Sequence, residues 1–357
     1  MVAGVNRTPL HPIHVELGAR MVDFAGWEMP LHYPTGINEE HLEVRQGTGL
    51  FDVSHMTQFQ VDGPQALQFL RYALLNDAQK LRVGRAHYSM LANGEGGLVD
   101  DIYVYRTAQE SYLLVGNAAN REAVKATLGE IAGRFDCTVE LREDRALLAL
   151  QGPGAALLLE RVAQAELSGL KKNRLTDMTI AGAPVLASRT GYTGEDGFEL
   201  FLPARNATEV WSTLTGAGAK PCGLGCRDTL RLEAGYPLFG ADLDGTTDPL
   251  CTPYAWLVKE KESYGIESLG GECSRRLVGI KLNRRGIARN GYRIRKGEEQ
   301  VGWITSGTIS PVTREGIAMG WVDAQYSEVD EQLGIEIRGE VFPATVVQMP
   351  FLEELKK

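Results

Sequence analysis

The chain has 357 residues, 43% of them hydrophobic and 23% charged, which is the make-up of a folded globular protein with two or three domains, each able to bury its own core. A formal charge of -9 argues against general nucleic-acid binding but leaves room for a local basic site. No run approaches 18 apolar residues, so no helix spanning a membrane is expected.

Residues 1–7 carry neither the basic and apolar regions of a secretory signal nor an Arg-rich amphipathic stretch, so a cytoplasmic protein is expected. Residues 8–12, Thr-Pro-Leu-His-Pro, read as an extended or turn-rich lead-in. A short strand and an aromatic-rich bend follow over 19–30, with Trp27, Met29, His32 and Tyr33 as packing residues. The pattern at 38–45 is helical and stops at Gly47-Thr48-Gly49. Residues 50–56 form a strand or strand end bearing Asp52, Ser54 and His55. Closeness in sequence does not make a catalytic triad, and His55 reads as a structural histidine with its bonds satisfied. A strand at 57–61 gives way, after Gly63-Pro64, to an amphipathic helix burying Ala66, Phe69, Leu70, Ala73 and Leu74.

The segment 86–91 is strand-like, and residues 93–97, Asn-Gly-Glu-Gly-Gly, are a strong hairpin signal because Gly and Asn tolerate positive φ. That turn delivers a strand opening on Asp100 and Asp101. A desolvated carboxylate must be paired or protonated, so one of the two faces a cavity or caps a turn; alternation alone does not choose between them. Residues 112–117 form a strand ending in Asn117, and 121–135 an amphipathic helix with Val124, Leu128 and Ile131 on one side. Short strands at 137–141 and 146–150 lead to Gln151-Gly152-Pro153-Gly154 and an apolar helix through Val162. No Gly-Lys-Ser/Thr and no dinucleotide fingerprint is found, so ATP and NAD lose support.

The densest stretch is 189–200. Gly191, Gly194 and Gly197 imply a backbone bending closely around something, and the alternation that follows turns Glu199 away from its apolar neighbours. By itself this is either a tight hairpin with a solvent-facing Glu or a rigid loop-to-strand junction offering a carboxylate to a flat, donor-rich ring. A helix over 207–214 has Val210, Trp211 and Leu214 as its core side. In helical form, 223–235 puts Arg227, Arg231 and Ala234 on one side; Arg227 in the first turn opposes the helix dipole and needs an acid or an anionic ligand. Arg231 and Glu233 read as surface or inter-segment ion pairs. Residues 242–249 are a polar linker, 254–258 an apolar strand, and 260–268 a charged linker or helix. From 276 onward, short strands at 277–282, 292–294, 300–304, 318–322, 334–338 and 342–347 alternate with Gly, Pro and charged turns, as in a small β-barrel. Strands interspersed with helices before it give an α+β chain.

Five cysteines at irregular spacing, Cys137, Cys222, Cys226, Cys251 and Cys273, predict reduced core thiols rather than a disulfide framework. Cys222 and Cys226 could share a helix face, but no His stands at ligand spacing beside them, and no metal is expected.

Taken together, the motifs at 21–30 (with Phe-Ala-Gly-Trp), 50–56, 96–101, 149–153, 191–199, 227–235, 305–311 and 349–351 resemble the aminomethyltransferases, the T-proteins of the glycine cleavage system. Each is moderately specific, but their order over almost the whole chain is highly so. The resemblance implies a folate-binding core over 1–270, built of two interleaved α+β subdomains, and a C-terminal antiparallel β-barrel over 275–357. It implies transfer of the aminomethyl carbon from the lipoyl arm of H-protein to tetrahydrofolate, with functional association with the P- and L-proteins and no bound metal or flavin. It implies Asp101 as the catalytic carboxylate, Glu199 as a pterin-binding carboxylate, Arg227 in substrate binding, and Met56, Tyr88 and Asn117 along the folate pocket. Residues 251–258, Cys-Thr-Pro-Tyr-Ala-Trp-Leu-Val, depart from the family pattern. Folate-dependent demethylases and oxidases usually carry an additional flavin-binding region, and 357 residues with no dinucleotide fingerprint disfavour them; the Lys-Gly-Cys-Tyr type of motif of related maturation proteins is absent. A non-catalytic folate-binding or carrier-docking protein of the same superfamily is the alternative.

Overall fold

The computed structural model describes residues 4–355. The chain divides into two compact units. The first takes in the described residues up to Ala73 together with Asp77–Ser89 and Asp101–Arg227; the second takes in Leu74–Asn76, Met90–Asp100 and the chain from Asp228 onward.

Two sheets build the first unit. One has six strands, in the order Leu175–Ile180, Ala183–Ser188, Gly197–Pro203, Arg145–Gln151, Gly49–Asp52 and Lys220–Pro221, antiparallel except for the last pair. Its central strands are near-continuous apolar runs because both faces are covered. Leu148, Leu150, Leu200 and Phe198 pack with Leu159 of helix Ala155–Ala163 and with Val210 and Trp211 of helix Ala207–Gly216 in one core. The other sheet has the order Arg85–Ala92, Leu98–Ala108, Ser111–Gly116, Thr57–Asp62 and Thr138–Leu141; the far ends of its first two strands, with the turn between them, count with the second unit. Helices Ala66–Ala73 and Arg121–Ala132 bury Phe69, Leu70, Val124, Leu128 and Ile131, the apolar faces their spacing predicts.

The lead-in departs from expectation. Residues His11–Glu16 form a helix with Pro12 in its first turn, where a missing N–H leaves no bond unmade, so the proline opens the helix instead of blocking it.

The second unit contains a closed barrel of six antiparallel strands, in the order Arg275–Leu282, Gly316–Asp323, Glu299–Ile309, Arg293–Lys296, Gln332–Ile337 and Glu340–Val347. Ile280, Ile294, Ile304, Ile335 and Val346 fill it. All six expected strands are present, and the α+β class with a C-terminal barrel holds. The expected strand at 254–258 is instead a 3-10 turn, Ala255–Leu257: Pro253 removes a donor from that segment, and a closed barrel has no edge for it to join.

Two further expectations are settled. Of the two readings of Arg231, the inter-segment ion pair holds and the surface one does not: it is buried and forks between Asp228 (2.8 Å), Asp242 (2.6 Å) and Ser306 (2.7 Å), while Glu233, also buried, accepts from the Ser310 hydroxyl. Cys251 and Cys273 are joined in a disulfide; Cys137, Cys222 and Cys226 remain thiols. Counting cysteines tests for a framework of several bridges, whereas one bridge depends only on the fold bringing two Cα atoms together, here to 5.5 Å.

Candidate active site

The strand Leu98–Ala108 sorts its acids by the pleat. Asp100, Ile102 and Val104 are buried, whereas Asp101 and Tyr103, on the other face, are half-buried. Asp101 therefore stands on the accessible face with Tyr103 and Tyr105 following at alternate positions. One of its oxygens is held from the neighbouring strand Arg85–Ala92 and the other from the residue just past the strand Ser111–Gly116: the Tyr88 hydroxyl donates to Oδ2 at 2.9 Å and the Asn117 amide to Oδ1 at 2.8 Å. Burial pushes the Asp101 carboxyl above the usual carboxylate range, and these two bonds pull it back. Three residues named from the sequence thus meet in one cluster.

The glycine loop closes around a side chain of the protein itself. Gln151, fully buried at the end of its strand, donates through Nε2 to the carbonyls of Thr190 (3.1 Å) and Phe198 (3.4 Å), and its Oε1 accepts from Thr193 Oγ1 (2.9 Å). A Cβ on Gly191 would stand 1.9 Å from Gln151 Oε1, and one on Gly197 2.6 Å from Nε2. The glycines are there to let the backbone wrap that amide. Outside the wrap, Arg189 grips Asp196 through two parallel bonds of 2.8 and 2.6 Å, and Arg45 reaches Thr193 O and Glu195 Oε1. Glu195 and Asp196 are thereby committed to holding the loop.

Glu199 is not the solvent-facing hairpin residue of the simpler expectation: it is only 8% exposed, within a strand buried at six of its seven positions. Its Oε2 accepts from the Tyr105 hydroxyl and from Thr190 Oγ1, both at 2.6 Å. Tyr105 is fully buried, and burial followed by the Glu199 charge drives its phenol well above the usual value, so it stays a donor. A ladder of rings runs along this face: Tyr88 to Tyr103 at 6.1 Å, Tyr103 to Tyr105 at 5.3 Å, and Tyr105 edge-on to Phe201 at 5.0 Å. Tyr103 donates to Asn173 Oδ1 at 2.8 Å, and Asn173 holds φ +61.

Arg227, in the helix Leu224–Glu233, lies over the rings of Tyr192 (5.0 Å) and Phe51 (5.9 Å). Burial lowers its pKa and the Glu199 charge opposes that, which supplies the acid its place in the first turn calls for. Its Nη1 is enclosed without a hydrogen-bond partner among the described residues. His55, 7% exposed and edge-on to Phe24 at 5.6 Å, has its Nδ1 enclosed without a hydrogen-bond partner among the described residues, contrary to the expectation of a satisfied histidine. Burial lowers it to about 4, with Asp52 opposing and the Arg227 charge reinforcing the shift, so the ring is neutral at pH 7. Met56 follows, half-buried, its amide closing a turn on Val53 O at 3.0 Å.

Tyr105, Thr190, Asn173 and Tyr192 were not singled out from the sequence. Tyr103 and Tyr105 carried a usable signal, since in a strand they share a face with Asp101; Thr190 and Asn173 reach the cluster only through the fold. Among the described residues no three His, Cys, Asp or Glu side chains are grouped to hold a metal ion, and no helix is long and apolar enough to cross a membrane.

Comparison with known proteins puts this architecture among the aminomethyltransferases. Residues 10–262 match the GCVT N-terminal domain and residues 275–353 the glycine cleavage T-protein C-terminal barrel domain. The chain is 50% identical to the aminomethyltransferase of Thermus thermophilus over 351 residues, covering 98% of this chain and 99% of that one, and 45% identical to that of Deinococcus deserti, covering 97% of each. The crystal structure of glycine cleavage system aminomethyltransferase T from Bartonella henselae superposes with a TM-score of 0.92 at 38% identity, covering 98% of both chains. The chain belongs to the aminomethyltransferase family, the T-proteins of the glycine cleavage system.

Proposed function

We propose that the protein transfers the aminomethyl carbon from the lipoyl arm of H-protein to tetrahydrofolate, releasing ammonia and dihydrolipoyl H-protein and forming 5,10-methylenetetrahydrofolate. Tetrahydrofolate supplies the nitrogens that take up the carbon. The protein supplies orientation and charge. Glu199, held at Oε2, offers Oε1 to the donor-rich edge of a pterin, a charge-assisted pairing that fixes orientation as well as affinity. Asp101 orients the reacting nitrogens, stabilises cationic character at the carbon and assists proton transfer. Arg227 orients the folate or neutralises nearby charge, and Met56, Tyr88 and Asn117 line its pocket. With both large substrates oriented, proximity lowers much of the barrier and no covalent protein nucleophile is needed.

The observation that carries this assignment is the pairing of two carboxylates on one ring ladder, with Asp101 bonded to Tyr88 at one end and Glu199 to Tyr105 two rings on. H-protein is the partner and the P- and L-proteins are functional associates; no nucleic acid or membrane partner is proposed. We place the protein in the cytoplasm. A disulfide such as Cys251–Cys273 is rare in a reducing compartment, so thiol counting on protein alkylated at lysis tests that placement. The function itself is tested by supplying aminomethylated lipoyl H-protein with and without tetrahydrofolate. Ammonia and methylenetetrahydrofolate should both rise with folate; no folate-dependent stimulation rules the transferase reaction out.

A further inference from the structure

From the two bonds on one oxygen of Glu199, we infer that Tyr105 and Thr190 are positioning residues that set which oxygen Glu199 presents and register it against Asp101. An ionised carboxylate has only acceptor sites, so both hydroxyls must donate to Oε2, and both do so at 2.6 Å inside the protein. Oε1 accepts no hydrogen bond from the described residues, leaving it as the oxygen available to a donor.

Neither hydroxyl is free to wander. Thr190 is 4% exposed and its carbonyl is pinned by Gln151, so the amide at the centre of the glycine loop also fixes the clamp. The Tyr105 ring is wedged between Tyr103 and Phe201. Tyr105 and Asp101 lie four residues apart on one face of the strand Leu98–Ala108, a separation of roughly 13 Å at ordinary strand rise. That strand is a ruler. It carries the acid assigned to the chemistry at one end and the donor that orients the recognition carboxylate at the other, across 94 positions of sequence from Glu199. A ligand edge docked on Oε1 is thereby held in register with Asp101, and a carboxylate free to rotate would lose that register.

Because Glu199 faces the pterin only under the function proposed above, on which this inference rests, the test includes Glu199 itself. Steady-state kinetics with aminomethylated H-protein are measured for Tyr105→Phe, Thr190→Val, Thr190→Ser and Glu199→Ala, and for Tyr105→Phe in the Glu199→Ala background. Tyr105→Phe keeps the ring and Thr190→Ser keeps the hydroxyl. Tyr105→Phe and Thr190→Val should each raise KM for tetrahydrofolate about tenfold, the loss of one hydrogen bond to a charged group, with kcat within about threefold of the parent and Thr190→Ser close to it. In the Glu199→Ala background Tyr105→Phe should have no further effect on KM, since there is nothing left to position. An unchanged KM in the single variants, or the same tenfold rise without Glu199, overturns the positioning role. If Glu199→Ala alone leaves KM unchanged, the pterin assignment falls and this inference falls with it.

Discussion

Gln151 occupies the space that a side chain at Gly191 would need: the nearest approach to an added Cβ is 1.9 Å, to the amide oxygen. The amide is fully buried and bonded to three groups of the loop, so neither partner can give way cheaply. Gly191→Ala and Gln151→Ala should each cost about 2–3 kcal/mol, one by overpacking and the other by stranding buried polar groups. Urea unfolding measures both, and folate affinity should fall with stability because Thr190 loses its anchor.

Asp101 should show its burial in two ways. Its carboxyl is raised above the ordinary range, so the folded protein binds this proton more tightly than the unfolded chain, and stability falls as pH rises through the interval between the two values. Asp101→Asn removes that burden; Tm near neutral pH should stay level or rise by a few degrees. In the parent, turnover should fall on acidification at a pH above that of an ordinary Asp. The pH-rate profile and a thermal scan of the variant check the pair, and a marked drop in Tm would contradict the sign.

His55 has the opposite sign. Its folded value of about 4 lies below the ordinary 6.5, so its contribution is complete above 6.5 and is lost as pH falls through 4. Between about pH 7 and pH 4.5 it should account for roughly 2–3 kcal/mol of acid destabilisation. His55→Asn should flatten the stability profile over that range relative to the parent, as read from urea midpoints at the two pH values.

The Cys251–Cys273 bridge spans 22 residues of sequence. Closing such a loop in the unfolded chain stabilises by about 3 kcal/mol. A thiol-free reductant, or Cys273→Ser, should lower the denaturation midpoint accordingly. Free-thiol titration should give three thiols before reduction and five after it.

The barrel was legible in the sequence because each strand announces itself locally, by a few β-branched or aromatic residues between turn formers, and closure then follows from having no other partner. The Asp101 ambiguity was not resolvable by alternation alone, because Asp100 and Asp101 each open a consistent face; what breaks the tie is which face carries the rings of Tyr103 and Tyr105. The glycine loop was read correctly as a close wrap, but its occupant, Gln151, stands 40 residues earlier than Gly191. Glu199 is reached from Tyr105 across 94 positions. Pairings of that range are set by sheet order, which no local pattern encodes. The segment near 254–258 and the disulfide were missed for the same reason: an apolar run and a cysteine each look the same whether or not the fold supplies a partner.

The central claim is a division of labour, with Glu199 for recognition and Asp101 for chemistry. One experiment separates them: tetrahydrofolate affinity by equilibrium titration and turnover with saturating aminomethylated H-protein, measured on Glu199→Ala and Asp101→Asn together. Glu199→Ala should weaken folate binding by roughly 2–4 kcal/mol. Asp101→Asn should bind folate nearly as the parent does and lose turnover severely. Near-normal turnover in Asp101→Asn, or undiminished folate affinity in Glu199→Ala, would contradict the assignment.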